Sequence, residues 1–371
     1  MTRIAILSVS AGAGHVRAAD AIAKAATARG HEAVHVDVMD LVPKVFRKIY
    51  AESYLGLVER NPALWGFLYH ASDRSRRDST ANRLRRGIEA LNTRAFRKAI
   101  DDLAPEVVIC THFLPAQILS RMIEDGRFNA PVWVVVTDFD VHLLWSHPRM
   151  SGYAVAADEV AVRISERDIA PAKIAVTGIP IAPVFAKPLD RATCAKELGL
   201  DPAKKTFLMM SGGFGVGAID QLAQRVLRIP GDFQLIALAG KNAELLGRLK
   251  ELAALHPGRL LPLGFTTTIE RVMTCADVAI SKPGGLTTSE CLAMGLPLVV
   301  VSPIPGQEER NSDYLLEHGA ALKAHDAPGL EYRVRRLLEE PDLIPALRAA
   351  AARLGRPAAA DSVLDAALGT L

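Results

Sequence analysis

The sequence predicts an α/β protein made of two Rossmann-like halves, each with a parallel sheet. Three observations point there. Short apolar runs of strand length recur along the 371 residues, with helical or loop segments between them. Each half opens on such a run, passes through a glycine loop and enters a helix. A proline-rich stretch divides the chain near its middle.

Taken in order, Arg3 to Val9 reads as a strand that enters Ser10-Ala11-Gly12-Ala13-Gly14-His15. Ala18 to Arg29 is rich in helix formers and stops at Gly30, and Glu32 to Val38 alternates like a second strand. Further strands are expected at 107–110, 132–137, 152–156 and 174–177. Residues 178–190 hold three prolines and one glycine, so no helix is expected there and the stretch reads as a linker. A second series follows, with strands at 207–210, 234–239, 260–263, 278–281 and 298–301 and a helix at 218–227. The tail from Ile344 to Leu371 is alanine-rich and helical. The expected organisation is an N-terminal domain over 1–182, a C-terminal domain over 183–350 and a helical tail over 351–371.

Composition narrows the class. Half the residues are apolar and 23% are charged, which excludes global disorder in a chain this long. The four cysteines are dispersed with no CxxC pair, which argues against a disulfide scaffold or clustered zinc and for a reducing compartment. No apolar run reaches the ~18 residues of a membrane span, and the N-terminus reads as a strand and loop rather than a signal peptide. The net charge is +3, yet residues 41–100 carry 13 Lys and Arg against 5 Asp and Glu, a local +8. That segment also holds Trp65 and several Phe and Tyr, and its Arg76, Arg77, Arg85 and Arg86 suit an anionic lipid surface. A solvated helical excursion is the plainer alternative. Nucleic acid is not expected as a partner, because no recognition motif accompanies the charge.

Ligand chemistry concentrates at strand ends. Ser281-Lys282-Pro283-Gly284-Gly285-Leu286-Thr287-Thr288-Ser289-Glu290 follows a strand and starts a helix. Small residues there expose backbone N–H groups to a diphosphate, and a carboxylate one turn further suits ribose hydroxyls. A capped helix with Glu290 as a first-turn acid is the plainer alternative. The loop Ser211 to Gly217, with Gly213, Phe214 and Gly215, has the same placement, with a tight turn as the plainer alternative. After the strand ending at Val301, Gln307 and Glu308 suit sugar hydroxyls. In the first half, His15 beside the loop glycines is a candidate base or phosphate ligand, and Asp138 ends the run Val134-Val135-Val136-Thr137 as a candidate base.

Together these motifs resemble the monogalactosyldiacylglycerol synthase and processive diacylglycerol glucosyltransferase family, and more distantly the peptidoglycan GlcNAc-transferase that makes lipid II. The markers are Ser10 to His15 with Ala18-Ala19, then Val136-Thr137-Asp138-Phe139 with His142 and Trp145, then Thr177-Gly178-Ile179-Pro180-Ile181. Lys282 to Glu290, Gly295-Leu296-Pro297 and Pro303 to Glu308 with Asn311 supply the second half. The resemblance implies a GT-B fold, two Rossmann-like domains with parallel sheets facing across a cleft, hinged at the proline-rich linker.

It also implies an inverting, UDP-sugar-dependent glycosyltransferase that moves a hexose to a lipid acceptor, diacylglycerol above all, to make a glycolipid. On that basis Asp138 and His15 are the catalytic pair, with Asp138 preferred as base. Gly213, Phe214, Gly215, Phe265, Thr266, Lys282, Gly284, Gly285, Leu286, Thr287, Glu290, Gln307 and Glu308 bind the nucleotide sugar, with Phe265 at the uracil. Gly14, Trp65, Arg76, Arg77, Arg85, Arg86, His142 and Trp145 serve the acceptor or membrane. Asp138-Phe139-Asp140 has the spacing of a DxD metal motif, but helix N-termini are expected to carry the diphosphate, so no cofactor or metal is expected. The implied location is the cytoplasm, peripherally on the inner face of the cell membrane. Three alternatives stay open: a polyprenyl-linked or soluble acceptor, a UDP-GlcNAc epimerase of GT-B shape, and a non-catalytic sugar-nucleotide sensor.

Overall fold

The computed structural model describes residues 1–10, 12–42, 94–210 and 219–371. The chain divides into two compact units. The first holds Met1–Pro183, Ile304–Arg310 and Arg356–Leu371, and the second holds Val184–Pro303 and Asn311–Gly355.

The first unit contains strands β1 (Arg3–Ser8), β2 (Glu32–Asp37), β3 (Val107–Cys110), β4 (Val132–Val135), β5 (Gly152–Val155) and β6 (Ile174–Val176). They form one parallel sheet in the order β2-β1-β3-β4-β5-β6. Helices α1 (Ala13–Ala28), α2 (Arg94–Leu103), α3 (Phe113–Glu124) and α4 (Asp158–Ser165) accompany it.

In the second unit the strands are β7 (Lys205–Met210), β8 (Phe233–Leu238), β9 (Leu260–Leu263), β10 (Val278–Ser281), β11 (Leu298–Val301) and β12 (Ala321–Ala324). Their order is β12-β11-β10-β7-β8-β9, again all parallel. Helices α5 (Arg191–Leu198), α6 (Ile219–Leu227), α7 (Ala243–Leu255), α8 (Ile269–Cys275) and α9 (Gly285–Ala293) follow in chain order. They are joined by α10 (Gln307–Glu317), whose first residues count with the first unit, and by α11 (Ala327–Glu339) and α12 (Leu343–Leu354).

The strands read as continuous apolar runs because helices cover both faces of a parallel sheet. Strands β3, β4, β5, β8, β10 and β11 are buried along their whole length. The last helix, α13 (Ala359–Leu368), belongs to the first unit. Its Ala360, Val363, Leu364 and Ala367 complete the core around Ile4, Ile6, Ala19, Ile22 and Trp133. Burying side chains the size of Val363 and Leu364 contributes roughly 1.5–3 kcal/mol each.

Some elements differ from the sequence reading. Strand β12 was not foreseen, because Ala-Leu-Lys-Ala is too short and too poor in β-branched residues to stand out. Helix α1 starts at Ala13, five residues early, so Gly14 and His15 form its first turn rather than a loop. The proline-rich stretch does hold one turn of 3-10 helix, Pro183–Ala186, since proline fits a first helical position.

Gly178 lies just before the chain leaves the first unit and has φ +83. A Cβ there would lie 2.5 Å from Cβ of Arg356, where the chain returns. Gly178→Ala is therefore expected to lower unfolding stability by about 1–3 kcal/mol, read from urea unfolding. An unchanged midpoint would show that this crossing is not constrained.

Candidate active site

Each sheet has one place where its connections diverge to opposite sides, and such switch points open a crevice at the strands' C-terminal ends. In the first unit it lies between β1 and β3, and in the second between β7 and β10.

At the first crevice, α1 begins after Gly12, which offers no side-chain cap, and presents His15 in its first turn. The His15 Nδ1 lies 2.9 Å from the Thr111 carbonyl oxygen and 3.0 Å from Thr137 Oγ1. A carbonyl only accepts, so Nδ1 carries the proton and Nε2 keeps a lone pair. Among the described residues Nε2 has no hydrogen-bond partner. Thr111 also donates its hydroxyl to the His15 carbonyl at 2.9 Å, so one threonine grips the histidine at ring and backbone. Burial pulls the His15 pKa down to about 4, with the Thr111 hydrogen bond opposing. The imidazole is therefore neutral at pH 7.

Aromatic rings surround it. His112 meets His15 edge-on at 4.6 Å between centroids, and Trp145 lies 6.1 Å from both. Phe113 stacks on His112 at 4.1 Å. The buried His112 accepts from the Leu114 N–H through Nδ1 at 3.1 Å, and burial and then the neighbouring His15 hold its pKa well below the usual value. Asp138 is half-buried and adjoins Thr137 beyond the end of β4.

The other first-half candidates separate. Gly14 is half-buried in the first turn of α1. His142 is buried and accepts from the Leu144 N–H to cap the turn Leu143–Trp145, and Trp145 is itself buried. Neither of these two offers an exposed surface. Asp140 is buried with its carboxylate 3.6 Å from Arg163 Nε, and among the described residues no group of three or more His, Cys, Asp or Glu converges. Trp65, Arg76, Arg77, Arg85 and Arg86 lie outside the described residues, as do Gly213, Phe214 and Gly215.

At the second crevice, α9 follows β10 through Gly284 and has neither a side-chain cap nor an acid in its first turn. The N–H groups of Gly285, Leu286 and Thr287 therefore have no intrahelical acceptor, and the helix dipole adds positive potential. Lys282 and Thr287 are half-buried beside them, and Glu290 is buried in the second turn. Among the described residues the buried Thr288 hydroxyl has no hydrogen-bond partner. Asn311, fully buried at the start of α10, donates its amide to the Pro283 carbonyl at 3.0 Å and fixes the turn.

Glu308 accepts from the Ile304 N–H at 2.7 Å and Glu309 from the Gly306 N–H at 3.1 Å, so both carboxylates hold the turn ahead of α10. Gln307 is half-buried beside them. Phe265, after β9, is 63% exposed and borders a cleft lined by Glu197, Leu198, Gly264, Thr268, Arg271 and Thr266. The Thr266 hydroxyl accepts from the Thr268 N–H at 3.1 Å.

Thr111 and His112 were not singled out from sequence, and Thr137 only as part of the run before Asp138. Their one signal was placement just past apolar runs, at the edge where ligands bind.

With this geometry in hand, the comparisons with known proteins are direct. The family model for monogalactosyldiacylglycerol (MGDG) synthase matches residues 15–181, and that for the glycosyltransferase family 28 C-terminal domain matches 217–356. The processive diacylglycerol beta-glucosyltransferase of Bacillus cereus (strain AH187) is 30% identical over 265 residues, 71% of this chain and 68% of that protein. The chain belongs to the processive diacylglycerol glucosyltransferase family.

The family enzyme from Bacillus pumilus (strain SAFR-032) is 27% identical over 354 residues, covering 93% of this chain and 89% of its own. MurG from Acinetobacter baumannii shares the fold with a TM-score of 0.66 at 15% identity, over 99% of both chains. Phytolacca americana UGT2, complexed with UDP-2fluoro-glucose and pterostilbene, does so at 0.65 and 13% identity, over 98% of both. The fold is thus GT-B, and membership of the family makes the chain a glycosyltransferase.

The half-buried, neutral His15 has a titration consequence. Its folded pKa of about 4 lies below the ~6.5 of an unfolded histidine. Between those values the unfolded chain binds the proton and the folded chain does not, so stability rises with pH through that window and is lost on acidification. Nitrogen-15 NMR should show the Nδ1–H tautomer at pH 7 and a midpoint of about 4. A midpoint near ~6.5 would mean an imidazole that is solvated rather than enclosed.

Proposed function

We propose that this chain transfers a hexose from a UDP-sugar to diacylglycerol at a membrane surface, with inversion at the anomeric carbon. Glucose is the first sugar to test, since the relatives are named for it. The observation that carries the reading is the tautomer of His15, whose Nε2 lone pair stands at a sheet edge while Nδ1 is tied to Thr111.

His15 Nε2 takes the proton of the acceptor hydroxyl. That oxygen attacks the anomeric carbon from the face opposite the nucleotide, and the bond from that carbon to the UDP oxygen breaks, with its electron pair leaving on the diphosphate. The N–H groups of Gly285, Leu286 and Thr287 at the head of α9 stabilise the departing charge. Lys282 adds a cation there, Glu290 receives the ribose hydroxyls, and Phe265 supports the uracil with Thr266 alongside. Gly213, Phe214 and Gly215 complete the donor site, and Gln307 and Glu308 address the sugar. Asp138 takes a supporting part: a carboxylate at the same edge favours the imidazolium once the proton has moved.

This assigns the base to His15 rather than Asp138. The imidazole is unprotonated at neutral pH, and its hydrogen bond to Thr111 leaves the Nε2 lone pair to take the acceptor proton. His15→Asn should lower turnover by ~10²–10⁴ with UDP affinity unchanged, since general bases contribute on that scale. Asp138→Asn should cost less. A larger loss in the aspartate variant would return the base role to Asp138.

No described helix is long and apolar enough to cross a membrane. The +8 segment 41–100, which carries Trp65, supports peripheral attachment to anionic lipid on the cytoplasmic face. Charge reversal at Arg76, Arg77, Arg85 and Arg86 should abolish sedimentation with anionic vesicles at low salt. Undiminished binding would refute attachment through this segment.

A further inference from the structure

Lys241 is a cation at the sheet edge outside the residues assigned above. It follows β8 through Ala239 and Gly240, and its neighbour Asn242 caps α7 by accepting from the Leu245 N–H. Gly240 has φ +58, which turns the chain sharply at the strand end. The adjacent strand β9 leads through Gly264 to Phe265. A Cβ on Gly264 would lie 3.9 Å from the Gly240 carbonyl oxygen and 3.3 Å from Leu246 Cδ2, so the two turns pack directly on each other. Their contact brings Lys241 Nζ over the Phe265 ring, 5.2 Å from its centroid.

Both side chains are exposed, and among the described residues Lys241 has no hydrogen-bond or ion-pair partner. Its charge rests on an aromatic face alone. At an exposed site that attraction amounts to only ~0.5–1 kcal/mol, so a better counter-charge readily draws the ammonium away.

Strand order locates such a counter-charge. From β9 the sheet runs through β8 and β7 to β10, whose C-terminal end carries the uncapped α9. At about 4.8 Å per strand, the Phe265 platform and the Gly284–Thr287 turn are roughly 14 Å apart along the edge. Lys241 stands just past the end of β8, between them. A nucleotide with its base on Phe265 and its diphosphate at α9 passes over this lysine.

We propose that Lys241 is a donor-binding residue that exchanges partners. Without ligand its ammonium covers the Phe265 face. When a nucleoside diphosphate binds, the base takes the ring face and the four-carbon stem swings the ammonium onto the phosphate next to the ribose. The exchange keeps the apolar ring covered in both states and gives the diphosphate a second cation, on the side away from Lys282. The inference rests on the donor reading given above.

The test is titration calorimetry on the full chain with UDP and with uridine, for wild type, Lys241→Met and Lys241→Arg. Lys241→Met keeps the stem and removes the charge. It should weaken UDP about ten-fold, a loss that shrinks with added salt, and leave uridine within about two-fold. Lys241→Arg should restore most of the UDP affinity. Because Lys241 is exposed, unchanged thermal unfolding should accompany these results. Unaltered UDP binding in Lys241→Met, with wild type binding UDP, would overturn the proposal. So would equal losses for UDP and uridine, which would place the ammonium on the base. Failure of wild type to bind UDP at all would instead overturn the donor reading.

Discussion

Parallel strands must be joined by crossovers of one hand, and this constraint governs the rest of the molecule. A sheet whose crossovers run outward to both sides has one gap where no connection covers the strand ends. In the first unit the gap opens at β1 and β3, in the second at β7 and β10. A helix starts beside each gap, with its unsatisfied N–H groups facing out. Helix α1 brings His15 and α9 brings Gly285, and both begin without a side-chain cap. A capping serine or aspartate would add stability of about 1 kcal/mol and would also occupy the donors.

The two gaps are tuned to opposite electrostatics. At the first, the two histidines are kept neutral. His15 is half-buried and His112 buried, both have depressed pKa values, and their fixed Nδ1 partners set their proton positions in advance. The second gap is positive, built from helix dipole, backbone donors and Lys282, with Glu290 set back in the second turn. Asn311 steadies its glycine turn from a separate helix, so the donors are aimed before any ligand arrives.

What could be read from sequence was local. Strand, glycine loop and helix follow one another within about twenty residues, so the placement of Gly284, Gly285 and His15 at strand ends was visible from order alone. The partners of His15 were not, because Thr111 is 96 residues away and Thr137 is 122. Nothing in a linear reading shows which nitrogen of His15 carries the proton, whereas the hydrogen bond at Nδ1 does. The burial of Trp145 beside His112 was not legible, since an indole signals burial and interfaces equally well. Glu308 looked like a sugar ligand, and its carboxylate also closes the turn that precedes it.

Helix α13 fills the core of the first unit, although it is made from the last stretch of the chain. A ribosome adding about 5–20 residues each second delivers the whole of Val184–Pro303 and Asn311–Gly355 before it delivers Val363 and Leu364. The second unit has all of its residues first, while the sheet around β1 waits with an open apolar face. The order of synthesis is thus the reverse of the order of completion. During that interval the unfinished N-terminal core is the surface a chaperone would have to shield.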